Sequence, residues 1–364
     1  LTLSEANVTA GNTLTVNATS MLTSVLTFSG AAETSGSIDL SVAGTGDHVV
    51  TSLGNGNDIL TSTGSGAITV SASLAGNNTI TTGSGADGIT GGTGDDTITS
   101  GGGIDTISLA TANFTSGDTI DGGAGVDKIL MLDDATVIDS DFTNVTNVET
   151  LTASANINLI ATIGATALAA GIVTINTTDT GAADNITVAA GYTGTLTVDL
   201  ASDATAGNTV SAAATAGTLI VTAADNELDS NASTLTGGTG TSDELKVTMT
   251  STNDTILLTS VTAFEKLTTV GALGGVVAVS LDANVAAGKN LAVDATSLDD
   301  DVLNFNGSAE LDGTFTITAD GSGAHIAVLG AKNDTYTSTS TGVDTVTGTG
   351  GVNTISTGAG ADII

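Results

Sequence analysis

The 364-residue chain has no cysteine, proline or tryptophan, and aromatic residues make up only 2% of it. Without cysteine it can form neither a disulfide scaffold nor a thiolate metal site, and it has no thiol nucleophile. With so few aromatic rings, small aliphatic side chains must supply nearly all of the core. Such side chains suit thin stacked layers better than a deep core, which argues against an ordinary globular enzyme.

Positive charge is also scarce, because five lysines face 39 acidic residues and the formal net charge is −34. A protein with this charge repels nucleic acid and anionic membrane surfaces, and it has few groups that could bind phosphate. We therefore expect cations as partners and no nucleic acid partner. Hydrophobic residues still make up 40% of the chain and charged residues 12%, which predicts a folded core rather than disorder.

The sequence has no apolar run long enough to cross a bilayer, and no basic segment followed by an apolar one as in a signal peptide. No direct membrane insertion is therefore predicted. Because the chain begins without methionine and ends within a repeated pattern, we expect it to be a segment of a longer protein.

A glycine-rich pattern with a period of nine or ten residues occupies the first third of the chain. An apolar residue follows each reference glycine after four positions; these glycines are Gly46, Gly56, Gly66, Gly76, Gly85, Gly94 and Gly103. Each unit therefore predicts a tight turn followed by a very short strand. One such unit cannot bury its own apolar face, so the units must stack, which indicates a solenoid.

Most units carry an aspartate or asparagine two residues after the reference glycine. These residues are Asp58, Asn78, Asp87, Asp96 and Asp105, whereas His48 and Ile68 depart from the pattern. The window GGTGDDTIT, at residues 91–99, resembles the nine-residue GGxGxDxUx repeat of the RTX, or hemolysin-type calcium-binding, family. Related units lie at residues 122–130 and after Gly342, Gly351 and Gly360.

The resemblance implies a parallel β-roll in which residues eighteen positions apart stack, so that Asp87 lies over Asp105 and Asn78 over Asp96. Calcium prefers roughly six to eight hard oxygen ligands, which a carboxylate and the backbone carbonyls of adjacent turns can supply. The predicted calcium ligands are Asp58, Asn78, Asp87, Asp95, Asp96, Asp105, Asp118, Asp127, Asp334, Asp344, Asn353 and Asp362. The alternative, that these residues only shape the turns through bonds to the backbone, stays open above all for the ten-residue units.

His48 and His325 occupy corresponding positions of a longer repeat described below. We interpret both as turn residues that replace aspartate and remove calcium binding at that level. A zinc site is the alternative, but with two histidines and no cysteine it would need one histidine plus carboxylates.

The sequence also contains a duplication with a much longer period than the short repeat. Residues 13–30 match residues 290–307 at nine of eighteen positions, so the chain contains one copy of a unit of about 276 residues and the start of another. Within that unit, residues 121–151 resemble residues 236–267. A GGxGxD turn followed by a V-E-x-L-like strand resembles the lattice-forming parts of bacterial RTX-type S-layer proteins and repeats of large type I secreted surface proteins.

These patterns divide the chain into five predicted regions. They are solenoid strands at 1–43, a calcium-binding β-roll at 44–130, solenoid repeats at 131–235 and 236–320, and a second calcium-binding block at 321–364. One short helix is predicted from Ile163 to Ala170.

The sequence thus predicts an all-β, right-handed parallel β-solenoid, or β-roll, with calcium-binding turns. We expect an extracellular structural segment at the cell surface that folds on binding Ca²⁺ and self-associates into a surface layer (S-layer) or similar array. The alternatives are a tandem spacer of a giant type I secreted adhesin and, less favoured, the calcium-binding tail of a secreted enzyme. No catalytic motif is present, so no enzymatic activity is predicted.

Overall fold

The computed structural model describes residues 1–3, 8–71, 75–177, 183–200, 207–229, 233–249, 254–271, 276–279, 284–298 and 300–364. The chain divides into two compact units, Leu1–Asn176 and Thr177–Ile364. Short strands and tight turns dominate both units.

The first unit is built from two long sheets of parallel strands. One sheet contains, in spatial order, β1 (Thr13–Ala18), β3 (Ser37–Val42), β5 (Ile59–Ser62), β7 (Thr79–Thr81), β9 (Thr97–Thr99), β12 (Thr119–Asp121) and β16 (Val145–Thr146). The other contains β2 (Thr27–Ser29), β4 (His48–Ser52), β6 (Ile68–Val70), β8 (Gly88–Thr90), β11 (Thr106–Leu109), β14 (Lys128–Met131) and β17 (Thr150–Ala153). Two further parallel pairs join β10 (Gly102–Gly103) to β13 (Ala124–Gly125) and β15 (Ala135–Val137) to β18 (Leu159–Ile163).

Apart from β10, β13, β15 and β18, successive strands of the first unit alternate between the two long sheets, so each coil contributes one strand to each long sheet. In the nonapeptide block the coil is shortest, because Ile89 pairs with Ile107, eighteen residues later. Elsewhere the coil is longer; Leu40 pairs with Leu60, twenty residues later. The pairing of equivalent residues in consecutive coils confirms the predicted parallel solenoid.

The second unit has the same construction. Its main sheet contains β21 (Thr195–Asp199), β23 (Thr218–Ala224), β25 (Glu244–Thr248), β28 (Lys266–Val270), β30 (Asn290–Ala295), β32 (Thr314–Ala319), β34 (Thr335–Ser338) and β36 (Thr354–Ser356). The other strands of this unit form two smaller sheets. One contains β20 (Asn185–Val188), β22 (Thr209–Ser211), β24 (Thr234–Thr236) and β27 (Val261–Thr262). The other contains β26 (Asp254–Leu257), β29 (Val276–Val279), β31 (Leu303–Asn306), β33 (Ile326–Leu329) and β35 (Thr345–Gly348). Strand β19 (Thr174–Thr177) lies at the boundary between the units.

The core of each coil is a thin layer of aliphatic side chains. The apolar residues that follow the reference glycines are all at most 1% exposed; they are Val50, Leu60, Val70, Ile80, Ile89, Ile98 and Ile107. Strand residues alternate between buried and more exposed positions, as in Ser37–Val42. The short glycine-led repeat thus encodes one buried aliphatic side chain for each half-coil.

Helices are few and short. The α-helices are α1 (Ala165–Ala170) and α2 (Asn226–Asp229), and the 3-10 helices are Thr111–Asn113, Asp139–Phe142 and Thr296–Leu298. The predicted helix ending at Ala170 is confirmed; Gly171, at φ +109°, terminates it in the left-handed conformation that glycine adopts without strain. Among the residues described, none of the helices has the length and apolarity needed to span a bilayer.

Asp139 fixes the start of α1. Its Oδ1 accepts the N–H groups of Gly164 (2.8 Å) and Ala167 (2.9 Å), and its Oδ2 accepts that of Thr166 (3.2 Å). Burial opposes ionisation of this carboxyl, but the N–H donors of Ala167, Thr166 and Gly164 outweigh burial and lower its pKa.

We expect Asp139→Ala to lower the free energy of unfolding by about 1–2 kcal/mol, because three helix N–H groups lose their acceptor. Asp139→Asn, which keeps one acceptor oxygen, should lose less. Since the folded-state pKa is lowered, the wild-type advantage should be present at neutral pH and disappear as the pH falls below about 4. Urea denaturation at several pH values measures this, and equal stability of Asp139→Ala and wild type at pH 7 would contradict it.

Candidate metal centre

The aspartates of the short repeat form two inner columns in the first unit. In one column, a side-chain Oδ1 accepts the backbone N–H of the column residue one coil earlier. These bonds run to Asp58 from Ile38 (2.7 Å), to Asn78 from Asp58 (3.0 Å), to Asp96 from Asn78 (2.9 Å) and to Asp118 from Asp96 (2.9 Å). The column therefore links successive coils through one side-chain bond at each level.

The second inner column follows the same rule on the opposite turns. Asp87 accepts the N–H of Ile68 (2.6 Å), Asp105 that of Asp87 (2.7 Å) and Asp127 that of Asp105 (2.7 Å). The structure thus brings Asp87 over Asp105 and Asn78 over Asp96, as the eighteen-residue spacing predicts.

The second unit contains inner columns of its own, formed by the residues predicted there. Asp334 accepts the N–H of Phe315 (2.8 Å), and Asn353 accepts that of Asp334 (2.9 Å). On the other turns, Asp344 accepts the N–H of His325 (3.1 Å), and Asp362 accepts that of Asp344 (2.9 Å). The same backbone bond therefore recurs in both calcium-repeat blocks.

Burial makes these carboxylates electrostatically costly. Asp58, Asp96, Asp105 and Asp127 are at most 2% exposed. In Asp96 the second oxygen accepts the N–H of Gly92 (3.1 Å). In Asp58 and Asp127, however, the buried Oδ2 has no hydrogen-bond partner within the described part of the chain. A buried anionic oxygen without a partner is unfavourable, so a hydrogen-bond donor or a cation at either of these two oxygens would stabilise the folded chain.

Burial raises the pKa values of several of these carboxyls. Burial, with a smaller contribution from the nearby charge of Glu33 and against the Ile38 hydrogen bond, raises the pKa of Asp58 to about 6. Burial also raises the pKa of Asp127, with additional repulsion from Asp105, Glu149 and Asp121. Desolvation is the largest cause of a raised pKa at Asp87, Asp96, Asp105 and Asp334 as well.

Glycines bring backbone carbonyls of adjacent coils close to these turns. Gly94 has φ +115°, and a Cβ there would lie 2.6 Å from the carbonyl oxygen of Gly76, one coil earlier. The Asp127 carboxylate lies against its own turn, since a Cβ on Gly122 would be 2.9 Å from Asp127 Oδ2. Side chains at these glycines would therefore fill the space between the carbonyls and the carboxylate.

The carboxylate and carbonyl oxygens of these turns suit a hard cation that binds oxygen ligands. No group of three carboxylate or histidine side chains converges anywhere in the described ranges. A cation would therefore be held by one carboxylate together with backbone carbonyls, the donor set that calcium accepts. The buried, unpartnered oxygens of Asp58 and Asp127 are the observation that shows this fit.

Asp95 lies apart from the inner columns. It is exposed, and its N–H donates to Asn77 Oδ1 (3.1 Å), while the N–H of Asn77 donates to Asn57 Oδ1 (2.9 Å). In this outer row the later coil donates to the earlier one, the reverse of the inner column. Sequence reasoning missed this row, although the repeated pairs Asn57–Asp58, Asn77–Asn78 and Asp95–Asp96 were a signal for it.

The two histidines take the place of aspartate in the inner columns. Nδ1 of His48 accepts the N–H of Leu26 (3.0 Å), and Nδ1 of His325 accepts that of Leu303 (3.0 Å). Both side chains are at most 1% exposed. With Nδ1 as an acceptor, the imidazole proton lies on Nε2, which in His325 is 3.0 Å from the Asp320 carbonyl oxygen. This arrangement agrees with the interpretation of both residues as substitutes for aspartate.

Two inner columns end in a glutamate, and the sequence analysis did not include either glutamate among the site residues. Glu149 Oε2 accepts the N–H of Asp127 (2.8 Å), and Glu265 Oε2 accepts that of Asp243 (3.0 Å). Asp243 was also missed; it accepts N–H groups of Leu219 (2.6 Å) and Gly238 (2.7 Å). The signal was the internal duplication, in which each glutamate follows its aspartate by 22 residues.

Comparison with known families now identifies the repeat. The family model described as RTX calcium-binding nonapeptide repeat (4 copies) matches residues 74–107, 115–130 and 338–364. The chain carries RTX calcium-binding repeats. Ca²⁺ is therefore the ligand of these turns, and the RTX matches include ten of the predicted ligands but neither Asp58 nor Asp334. Comparisons with curated proteins and with solved structures gave no match.

Asp127→Asn tests the metal role of an RTX column separately from its structural role. Asparagine keeps the Oδ1 acceptor for the Asp105 N–H but removes the charge. In excess chelator we expect the variant to be at least as stable as wild type, because repulsion from neighbouring carboxylates is relieved. In calcium its free energy of unfolding should fall by roughly 1–3 kcal/mol, as for loss of one ion-binding site. Thermal unfolding followed by circular dichroism measures both; the exposed Asp133→Asn is the control, and equal losses in calcium and chelator would refute the metal role.

The raised carboxyl pKa values predict an inverted pH dependence for the metal-free protein. Between the ordinary aspartate pKa of 3.8 and the folded value of about 6, the Asp58 carboxyl binds more protons in the folded chain than in the unfolded chain. The melting temperature in chelator should therefore fall as the pH rises from about 4 to 6. Saturating calcium should remove this fall, because the ion replaces the proton. A melting temperature in chelator that rises through this window would contradict the assignment.

Proposed function

We propose that this chain is a calcium-folded structural segment of an extracellular protein, and that it self-assembles into a cell-surface layer or similar array without any catalytic role. The buried columns of carboxylates carry the proposal. Without a cation the stacked charges repel one another; Ca²⁺ binds only where the coils are stacked and so stabilises the folded state by RT ln(1 + [L]/Kd) for each site.

Exposed apolar side chains on the RTX turns support self-association. Ile104 is 66% exposed and Val126 is 58% exposed. They lie next to each other on successive coils, because Gly103 pairs with Gly125. Two neighbouring aliphatic side chains at the surface of such an acidic protein favour contact with another apolar surface. A second molecule of the chain, in calcium that screens the acidic charge, offers the same pair.

A tandem spacer in a large adhesin is the second candidate, and a different observation favours it. Strands β30 and β32 correspond to β1 and β3 of the first copy of the long unit. Strand β30 pairs directly with the preceding strand β28, so the second copy begins in register inside the second unit. A second copy that extends the same stack of coils in register suits a repeated spacer.

Calcium titration of the full chain distinguishes these functions. We expect a cooperative gain of β structure in circular dichroism with Ca²⁺ and not with Mg²⁺, followed by ordered particles in light scattering and electron microscopy. Ile104→Thr/Val126→Thr should raise the protein concentration needed for assembly roughly tenfold, as expected for losing on the order of 1–2 kcal/mol of apolar burial.

The matched control is Leu22→Thr/Val25→Thr, which replaces two other exposed aliphatic residues. Folding in calcium without association at any accessible concentration would refute the array and favour the spacer. Complete β structure in excess chelator would refute the calcium-dependent folding step.

A further inference from the structure

Two glutamates lie buried in corresponding turns of the two copies of the long unit. Glu33 is 1% exposed and Glu310 is 0% exposed. Glu33 Oε1 accepts the N–H groups of Ser35 (2.9 Å) and Gly36 (2.7 Å). Glu310 Oε1 accepts those of Asp312 (3.1 Å) and Gly313 (2.7 Å). In both glutamates the second oxygen, Oε2, is buried and has no hydrogen-bond partner of normal geometry among the described residues. The N–H groups of Gly36 and Ser35 nevertheless outweigh burial and lower the pKa of Glu33, so this buried carboxyl is held in its charged form.

An aspartate of the inner column lies in the next coil above each glutamate. Asp58 accepts the Ile38 N–H, and Asp334 accepts the Phe315 N–H, through Oδ1. The Oδ2 of both aspartates is buried and has no hydrogen-bond partner of normal geometry in the part of the chain described, although at Asp334 the nearby Gly330 N–H partly offsets the rise in pKa that burial causes. Each copy therefore contains a glutamate and an aspartate, in consecutive coils, that both have an unsatisfied buried oxygen.

A glycine allows the two turns to approach. A Cβ on Gly54, four residues before Asp58, would lie 3.0 Å from the Glu33 carbonyl oxygen and 3.1 Å from its Cβ. A Cβ on Gly330, four residues before Asp334, would lie 3.1 Å from the Glu310 carbonyl oxygen and 3.2 Å from its Cβ. The turn that carries the aspartate thus sits directly on the glutamate in both copies.

In the coils that contain Glu33 and Glu310, the glutamate provides a carboxylate where the column residue itself is apolar. In the coils of Glu33 and Glu310, the column position is apolar, at Ile38 and Phe315. The glutamate comes five residues earlier in each case and turns its carboxylate towards the N–H groups of the same turn. No described lysine neutralises the pairs, since the ion pairs of the described residues join Lys246 and Lys266 to Glu244 and Asp294.

We propose that Glu33 with Asp58, and Glu310 with Asp334, each bind one calcium-sized divalent cation between consecutive coils. Two carboxylates in low-dielectric surroundings repel each other unless a cation lies between them. An all-oxygen set of carboxylates and turn carbonyls selects a hard cation over a transition metal. Both pairs lie outside the residues that match the RTX repeat, so these ions add to those of the nonapeptide sites. The proposal does not depend on self-assembly.

The test compares calcium stoichiometry of the full chain and of Glu33→Gln/Glu310→Gln by equilibrium dialysis. Glutamine keeps an oxygen acceptor for the turn N–H groups and removes the charge. We expect two fewer ions per chain, with the remaining sites unchanged in affinity. In chelator the double variant should be at least as stable as wild type, whereas in calcium it should be less stable. Asp39→Asn/Asp133→Asn removes the same number of charges at partly and fully exposed positions and should leave the stoichiometry unchanged.

An unchanged stoichiometry in Glu33→Gln/Glu310→Gln would overturn the proposal, as would equal stabilisation of this variant in calcium and in chelator, which would show that a proton holds each pair. If the glutamine variant does not fold, Asp58→Asn and Asp334→Asn replace it, because the columns already accommodate asparagine at Asn78 and Asn353. Each should then lose one ion, and no loss in either would refute the proposal. Failure of RTX calcium binding itself is distinguishable, because wild type would then bind at most two ions per chain.

Discussion

One hydrogen bond recurs throughout this molecule, from a backbone N–H of one coil to a side-chain oxygen of the next. It holds Asp58, Asp87 and Asp105 inside their turns, and in the second unit it holds Asp334 and Asp344. In the short repeat each half-coil contains only a short strand and about one fully buried aliphatic side chain, so hydrophobic burial within a single coil is small there. Because this bond holds the coils in a stack, the small apolar layers of the individual coils together form a continuous core.

The same bond explains why these turns suit a cation. Using a carboxylate as the buried acceptor satisfies one oxygen and leaves the other to be compensated. Where a turn N–H serves the second oxygen, as for Asp96, the column is locally satisfied. Where nothing in the described residues serves it, as for Asp127, burial and neighbouring charges raise the pKa. Asparagine and histidine at other levels provide the acceptor without the charge, so the chain mixes charged and neutral levels along each column.

The sequence specified the parts of this arrangement that follow a constant period. The resemblance to the RTX repeat implied that Asp87 stacks on Asp105, and the glycine-to-aliphatic interval located the core residues. Residues were missed where the coil lengthens, because Glu149 follows Asp127 by 22 residues and its longer side chain replaces aspartate. Glu33 was missed because it reaches the turn from five residues before the column position, and no nonapeptide pattern contains a glutamate there. Asp139 was missed because its contact with α1 spans 25 residues between elements that no repeat relates.

The inner column and the outer row donate in opposite directions along the stack. Asp58 and Asn78 receive N–H groups from the coil before, whereas Asn57 and Asn77 receive them from the coil after. If one coil slides along its neighbour by a single residue, both sets of bonds break together, and the aliphatic side chains leave the interior at the same time. Two separate rows of side chains therefore oppose the same shift of register, so each coil has one defined position on its neighbour.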